Sequence, residues 1–209
     1  GADVDVVTEA IGRDSRIGTK YLKGALGYGG PCFPRDNVAF AALADEVGVA
    51  ATLAKATDAV NKRQVPRLAA MLSSMAPGAK TVGVLGLSYK PDTSVIEESQ
   101  GFALAKHLVE RRVRVRVYDP AAMPNARAIL GDRVTYAETP GDCIRGCEGV
   151  VITTPWKEFA TLIPEDFGAA KPALLDCWRM LKGRGFERTT RYAMMGAGEA
   201  EAAQLVLTA

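Results

Sequence analysis

The feature that most constrains the fold is a change in the spacing of apolar residues at Pro77-Gly78. Before it, apolar side chains recur at the three- and four-residue spacing of amphipathic helices. After it, short β-branched runs alternate with helical segments. Buried strands that alternate with helices are typical of a doubly wound parallel sheet. The sequence therefore predicts an α/β fold with a helical segment over residues 1–77 and a Rossmann-like domain over residues 78–209.

Helix start and stop signals divide the first segment. We expect one helix capped by Asp3 and ended by Gly12, a second capped by Asp36 and ended by Gly48, and a third over residues 52–75 that Pro66 kinks or breaks. In the second segment we expect strands over residues 81–86, 113–118, 134–136, 149–154 and 173–177. Helices are expected between them, near residues 98–112 and 122–130 and after Thr139, with a loose helix after Gly196.

Ligands of open α/β sheets bind beyond the carboxyl ends of the strands, which directs attention to the loops there. The loop after the first expected strand carries Lys90, which we expect near a helix N-terminus where it could hold a phosphate. The loop after the last strand carries Trp178 beside Arg179. Gly83 and Gly86 supply only part of a dinucleotide fingerprint, so the sequence gives weak support for a dinucleotide on this sheet.

The most unusual stretch runs from Leu26 to Asp36 and holds three glycines and two prolines around Cys32. Glycine lets the main chain approach a ligand closely, and proline fixes a turn. Two interpretations follow: a loop that presents a nucleophilic thiol, or a structural turn around a buried thiol. A helix that starts at Asp36 would favour the thiolate through its dipole, whereas the Asp36 carboxylate would oppose it.

Composition excludes several classes of function. The chain has 26 basic and 24 acidic residues without a long run of one sign, which argues against nucleic-acid and membrane-surface binding. No apolar stretch approaches the roughly 18 residues that cross a bilayer, so a cytoplasmic location is expected. Four scattered cysteines indicate reduced thiols and no metal site. A cysteine hydrolase is disfavoured because the single histidine, His107, falls within a predicted helix. The chain begins at Gly1 rather than methionine, as a fragment would.

Several motifs in a fixed order carry a family resemblance: Asp14-Ser-Arg-Ile-Gly18, the Cys32 loop, Val60-Asn-x-x-Gln64, Leu85-Gly-Leu-Ser-Tyr-Lys-Pro91 and Asp176-x-x-Arg179. Together they resemble the UDP-glucose/GDP-mannose dehydrogenase family, and within it the members that act on UDP-glucose. The resemblance implies that residues 1–77 are the back of a central dimer-forming domain and residues 78–209 a UDP-binding domain. It also implies an N-terminal NAD-binding domain that is not in this sequence, without which the chain would be inactive.

The resemblance also implies roles for individual residues. Cys32 corresponds to the catalytic nucleophile and Asp36 to an acid that positions or activates water. The implied substrate-binding residues are Arg16 (across the dimer), Lys23, Gly27, Tyr28, Gly29, Tyr89, Lys90 and Arg179. The nicotinamide cofactor, NAD, would lie near Cys32, Phe33, Pro34 and Arg35. The implied reaction oxidises UDP-glucose twice, through a Cys32 thiohemiacetal and thioester, to UDP-glucuronate.

One departure keeps other interpretations open. Where the family commonly carries Asp-Asp-x-Arg, this chain has Ser94 to Glu97, so Glu97 replaces an arginine that the family uses toward the cofactor. The alternatives are a non-catalytic module for sugar-nucleotide binding or dimerisation, and a related dehydrogenase acting on another UDP- or GDP-sugar. Asn61 and Gln64 are interpreted as structural helix positions. Cys143, Cys147 and Cys177 are interpreted as small buried apolar residues.

Overall fold

A computed structural model describes residues 2–197 and confirms the helical first part. Its helices are α1 (Val4–Gly12), α2 (Phe33–Glu46), α3 (Thr52–Lys62) and α4 (Gln64–Met75). The Asp3 carboxylate accepts hydrogen bonds from the backbone N–H groups of Asp5 and Val6, so it caps α1 as predicted. Gly48 follows α2 with a positive φ of 73°, the conformation that ends helices at glycine.

The predicted start of α2 at Asp36 is wrong. The helix begins at Phe33, with Cys32 at the N-cap and Pro34 in the first turn. Proline lacks an N–H group, and the first turn of a helix is where that donor is not needed, so Pro34 permits the earlier start. Asp36 instead lies one turn into the helix, and its N–H donates to the Cys32 carbonyl over 2.8 Å. The correction places the thiol, rather than the carboxylate, at the positive end of the helix.

The long helix expected over residues 52–75 is two helices separated at Arg63. The break comes three residues before Pro66. A proline removes the bond from its own nitrogen to the carbonyl four residues earlier, and its ring crowds that carbonyl. The interruption therefore falls on the turn that precedes Pro66, and α4 continues from there with its buried face, Leu68, Met71 and Leu72, intact.

The second part is a six-stranded parallel sheet with helices between the strands. Its strands are β1 (Thr81–Leu85), β2 (Arg114–Tyr118), β3 (Thr135–Tyr136), β4 (Gly149–Ile152), β5 (Ala173–Asp176) and β6 (Arg191–Met194). The intervening helices are α5 (Gln100–Glu110), α6 (Met123–Leu130) and α7 (Pro140–Ile144), together with short 3₁₀ turns. The strand order β3-β2-β1-β4-β5-β6 is the doubly wound Rossmann order, which confirms the predicted fold class.

The sheet and α4 share one apolar core. Leu68 and Leu72 of α4 are buried together with Val84 of β1, Leu104 of α5 and Leu175 of β5. The proposed domain division at residues 77 and 78 therefore separates α4 in sequence from strands that it contacts in space. By contrast α2 and α3 leave Phe40, Leu43 and Leu53 among their exposed apolar side chains. Within residues 2–197, no helix has both the length and the hydropathy to cross a membrane. The helix expected after Gly196 falls outside these residues, apart from Ala197.

Candidate active site

Cys32 is an exposed thiol at the N-terminus of a 14-residue helix. The aligned peptide dipoles of α2 place partial positive charge at this end. The Arg35 guanidinium lies on the same turn, where its Nε donates to Asp36 Oδ1 over 3.3 Å. The thiol is therefore presented to solvent at a positive helix end, and the alternative of a turn around a buried thiol is wrong.

Cys32 lies in an open cleft of about 420 Å³ that aromatic side chains surround. Its lining residues are Tyr21, Tyr28, Gly29, Gly30, Pro31, Cys32, Phe33 and Tyr89. The Tyr28 and Phe33 rings meet edge to face with their centroids 5.1 Å apart. Phe33 is 60% exposed, so one flat apolar face beside the thiol is open to a ligand. The cleft thus brings an exposed thiol, aromatic surfaces and glycine backbone together in one place.

The loop before Cys32 needs glycines because it lies too close to the segment that follows β1 to leave room for a Cβ atom. A Cβ on Gly30 would lie 2.7 Å from the Tyr89 ring, and one on Gly29 would lie 2.3 Å from the Glu98 carbonyl oxygen. The Gly30 N–H donates to the Glu97 carbonyl over 2.9 Å. The loop before Cys32 is therefore seated against residues 89–98, which explains how motifs sixty residues apart form one cleft.

Asn61 and Gln100 hold the same loop from two other elements. Asn61 Nδ2 of α3 donates to the Tyr28 carbonyl over 3.0 Å, and Gln100 Nε2 of α5 reaches that oxygen at 3.4 Å. Asn61 is buried, as a structural role requires. Gln64 occupies an ordinary polar helix position, as predicted, because its amide donates to the Val60 carbonyl of the preceding turn. Gln100 was not anticipated, and only its position at the start of α5 could have pointed to it.

The loop after β1 is braced by the buried carboxylate of Asp119. Asp119 Oδ2 accepts from the backbone N–H groups of Leu87 and Ser88, at 2.7 and 2.9 Å, and from Trp156 Nε1 at 3.1 Å. This bracing positions Tyr89 on the cleft wall. Lys90 follows as an exposed side chain whose ammonium lies 5.4 Å from the Tyr89 ring centroid. α5 starts at Gln100, and the expected place of Lys90 near a helix N-terminus stays a prediction.

Arg179 lies outside the cleft lining, with its guanidinium paired to other parts of the chain. Nε and Nη2 donate to the two Asp5 carboxylate oxygens over 2.8 and 2.9 Å. Nη2 also donates to the Gly24 carbonyl over 2.7 Å, and Nη1 to the Met195 carbonyl over 2.7 Å. The Arg179 side chain is only 5% exposed, whereas that of Asp5 is half exposed. Arg179 thus joins α1, the segment before the Cys32 loop and the end of β6.

The stability of this junction should depend on pH through Asp5. The hydrogen bond from Arg179 lowers the pKa of Asp5 below its ordinary value of 3.8. A carboxyl whose pKa is depressed by folding contributes stability that is complete above the unfolded value and is lost as pH falls through the folded value. Urea unfolding near pH 7 and about pH 3 should therefore show a larger loss on acidification for the wild type than for Asp5→Asn. Equal losses in the two proteins would contradict this expectation.

The other charged residues of the predicted site lie outside the cleft lining. Arg16 is exposed and paired with Asp14, with Nη2 and Oδ2 at 2.6 Å. Lys23 is exposed and precedes the Gly24 carbonyl that Arg179 holds. Gly27 lines a neighbouring cavity of 660 Å³ between the loop and α3, and Asp36 is exposed on α2. The structure therefore brings together Cys32, Tyr28, Gly29, Phe33 and Tyr89.

The residues present fit only one end of a dinucleotide cofactor. The open Phe33 face and the start of α2 beside Cys32 suit a nicotinamide ring. The β1 glycines do not cradle a dinucleotide, because a Cβ on Gly86 would lie 2.6 Å from Thr154 and one on Gly83 would lie 3.0 Å from the Cys143 carbonyl oxygen. Both glycines thus serve contacts within the sheet domain.

The remaining cysteines are buried, as predicted. Cys147 donates to the Cys143 carbonyl, with sulfur and oxygen 3.1 Å apart, and burial raises the pKa of the Cys147 thiol to about 11. Burial raises the pKa of Cys143 as well. Neutral buried thiols of this kind are poor nucleophiles. Among residues 2–197, Cys32 is the exposed thiol.

Comparison with known proteins identifies relatives over most of the chain. Residues 1–63 match the model of the UDP-glucose/GDP-mannose dehydrogenase family, central domain, and residues 83–183 match that of the same family's UDP binding domain. UDP-glucose 6-dehydrogenase YwqF of Bacillus subtilis is 36% identical over 160 residues, which are 76% of this chain and 36% of YwqF. The UDP-glucose 6-dehydrogenase of Rhizobium meliloti is 33% identical over 205 residues, 94% of this chain and 46% of that protein.

A solved structure gives the same result in three dimensions. The UDP-glucose dehydrogenase of the hyperthermophilic archaeon Pyrobaculum islandicum is 37% identical, with a TM-score of 0.79 over 93% of this chain and 44% of that one. This chain spans less than half the length of each of these relatives. The two domain matches and these relatives show that the chain belongs to the UDP-glucose/GDP-mannose dehydrogenase family.

Proposed function

We propose that this chain is the part of an NAD-dependent UDP-glucose 6-dehydrogenase that supplies the nucleophile and binds the nucleotide sugar. The observation that carries the proposal is the exposed Cys32 thiol at the start of α2, in a cleft that Tyr28, Phe33 and Tyr89 line. The relatives named UDP-glucose 6-dehydrogenase support the choice of substrate. The reaction converts the primary alcohol of the sugar to a carboxylate and gives UDP-glucuronate.

Cys32 acts between the two oxidations of the sugar. Its thiolate adds to the carbonyl carbon of the aldehyde, a C–S bond forms, and the carbonyl oxygen takes a proton to give a thiohemiacetal. Loss of a hydride and of the hydroxyl proton leaves a thioester on Cys32. Water then adds to the thioester carbon, the C–S bond breaks, and the sulfur departs as the thiolate that began the cycle. Asp36, exposed one turn into α2, is proposed to position or activate that water.

The other residues hold the substrate and cofactor. Lys23 to Gly29 wrap the nucleotide sugar, Tyr89 and Lys90 contact it from the loop after β1, and the Arg16 side chain reaches it across a dimer. Arg179 contributes by holding the Gly24 carbonyl beside Lys23. Cys32 to Arg35 would contact the nicotinamide end of NAD, which would supply the hydride acceptor for each oxidation when bound. Because this sheet lacks a dinucleotide cradle, we propose that a further domain binds most of NAD and that the chain alone is inactive.

The assembly and location belong to the same proposal. A homodimer through the helices of residues 1–77 would cover the exposed apolar side chains of α2 and α3, such as Phe40 and Leu53. A cytoplasmic location fits the free cysteines, since that compartment keeps thiols reduced. Residues 78–209 would form the UDP-binding domain.

Thiol labelling tests the site directly on this chain. Because Cys32 is exposed and the other three cysteines are buried, iodoacetamide should label the native chain at Cys32 alone. UDP-glucose should slow this labelling, since a nucleotide sugar on the glycine loop would cover the cleft. Mass spectrometry of the labelled peptides measures both effects.

Two controls make the labelling result interpretable. The Cys32→Ser variant should take up no label until it is denatured, and glucose without the nucleotide should give no protection. Equal labelling rates with and without UDP-glucose would count against binding of the nucleotide sugar at this cleft. Absence of NADH formation by the complete gene product would favour the alternative of a non-catalytic binding module. The charge reversal at Glu97 is the observation that suggests this alternative.

A further inference from the structure

The carbonyl oxygen of Tyr28 is the point where three elements meet. It accepts from Asn61 Nδ2 of α3 at 3.0 Å and from Gln100 Nε2, at the start of α5, at 3.4 Å. The acceptor lies four residues before Cys32 in the chain. A carbonyl oxygen has two lone pairs, so both amides can donate to it at once. The backbone that leads into the nucleophile is thereby tied to the helical segment and to the sheet domain.

The packing around Asn61 leaves this tie little freedom. Asn61 is 7% exposed, and a Cβ on Gly27 would lie 1.9 Å from its Oδ1. The amide therefore fills the space beside the Gly27 main chain and cannot withdraw without opening a cavity. Any residue larger than glycine at position 27 would displace it.

A second bond repeats the tie to the sheet domain two residues further along. The Gly30 N–H donates to the Glu97 carbonyl at 2.9 Å, so residues 28 and 30 are bound to residues 100 and 97 respectively. These two bonds join the Cys32 loop to the start of α5 and to the residues just before it. They restrict the loop more than one bond would, because pivoting about either bond stretches the other.

We propose that Asn61 and Gln100 are positioning residues that fix the glycine loop and, through it, the direction in which Cys32 presents its sulfur. The inference rests on the proposed role of Cys32 as nucleophile. Neither amide lines the Cys32 cleft. Their effect is on the geometry of attack, to which reaction rates are sensitive even for small displacements.

The first arm of the test measures the loop and does not depend on activity. Asn61→Asp keeps the shape of the side chain but replaces the donor with an oxygen that repels the Tyr28 carbonyl, and Gln100→Met removes the second donor at similar length. Hydrogen–deuterium exchange at the Gly30 amide should accelerate about tenfold in each variant, the effect of weakening one hydrogen bond. Gln64→Ala is the matched control, because the Gln64 amide donates to the Val60 carbonyl one turn earlier and not to the glycine loop, so Gly30 exchange should match the wild type.

The second arm uses the complete gene product. In both variants kcat should fall about tenfold with KM for UDP-glucose changed less than about twofold, the pattern of lost positioning rather than lost binding. Unchanged Gly30 exchange, or faster exchange with unchanged kcat, would overturn the proposal. If Asn61→Asp does not fold, Gln100→Met decides, since Gln100 is only partly buried. Full activity in Cys32→Ser would instead contradict the proposed role of Cys32 as nucleophile. The exchange measurements would still test whether Asn61 and Gln100 fix the glycine loop.

Discussion

Replacing Cys32 with serine is expected to lower kcat for UDP-glucuronate formation by roughly 10³-fold or more. A serine hydroxyl stays protonated at neutral pH, so it adds to the aldehyde far more slowly than a thiolate does. The first oxidation needs no covalent bond to the protein. We therefore expect at most one NADH per sugar consumed by the variant, against two for the wild type, measured by absorbance with product analysis on the complete gene product.

Cys147→Ala is the matched control for this experiment. It also removes a thiol, but one that is buried in the sheet domain and bonded to the Cys143 carbonyl. The control should form two NADH per sugar even if its stability falls. Two NADH per sugar in Cys32→Ser would contradict the covalent mechanism and leave the thiol with a packing role.

Replacing Arg179 with methionine is expected to destabilise the chain by about 3 kcal/mol, because it removes a buried guanidinium and leaves its hydrogen-bond partners behind. Methionine matches much of the length of arginine but donates no hydrogen bond. The substitution leaves the Asp5 carboxylate and the carbonyls of Gly24 and Met195 without this donor. Urea unfolding followed by circular dichroism measures the loss of free energy.

Two further variants separate charge from geometry at this junction. Arg179→Lys keeps the positive charge but cannot bond Asp5 through two nitrogens, so its stability should fall between those of the wild type and Arg179→Met. Lys182→Met breaks the half-exposed pair between Lys182 and Asp3 and should have a much smaller effect than Arg179→Met. Equal losses of unfolding free energy in Lys182→Met and Arg179→Met would show that the burial of Arg179 does not account for its contribution to stability.

Features of the fold with local causes were predictable from the sequence. The Asp3 cap and the β1 strand depend on residues within a few positions of one another, and both were placed correctly. The start of α2 was misplaced because Asp36 is a good capping residue, whereas Pro34 marks the first turn of a helix that begins before it. β6 was missed because Arg191–Met194 is short and only partly buried, so it lacks the continuous apolar run of the central strands.

The candidate site shows the same division between local and distant causes. The glycine loop left two alternatives open, a presented thiol and a turn around a buried thiol, and the family resemblance implied that Tyr89 contacts the same substrate as the loop. The partners of Arg179 could not be predicted, because Asp5 and Gly24 lie 174 and 155 residues away in sequence. Nor does any local pattern show that the Asn61 amide reaches the Tyr28 carbonyl 33 residues away. Such contacts depend on how α1, α3 and the sheet domain pack together.

The bond between Gly30 and residue 97 has a consequence for how this site can vary in sequence. Gly30 is held by the main-chain carbonyl of Glu97, and the Glu97 side chain is exposed. A carbonyl is present whatever the side chain, so mutation at position 97 can reverse the charge beside the cleft while the loop keeps its anchor. Substitutions at position 97 can therefore change the charge that faces a bound molecule while the loop that holds the Cys32 thiol keeps its position.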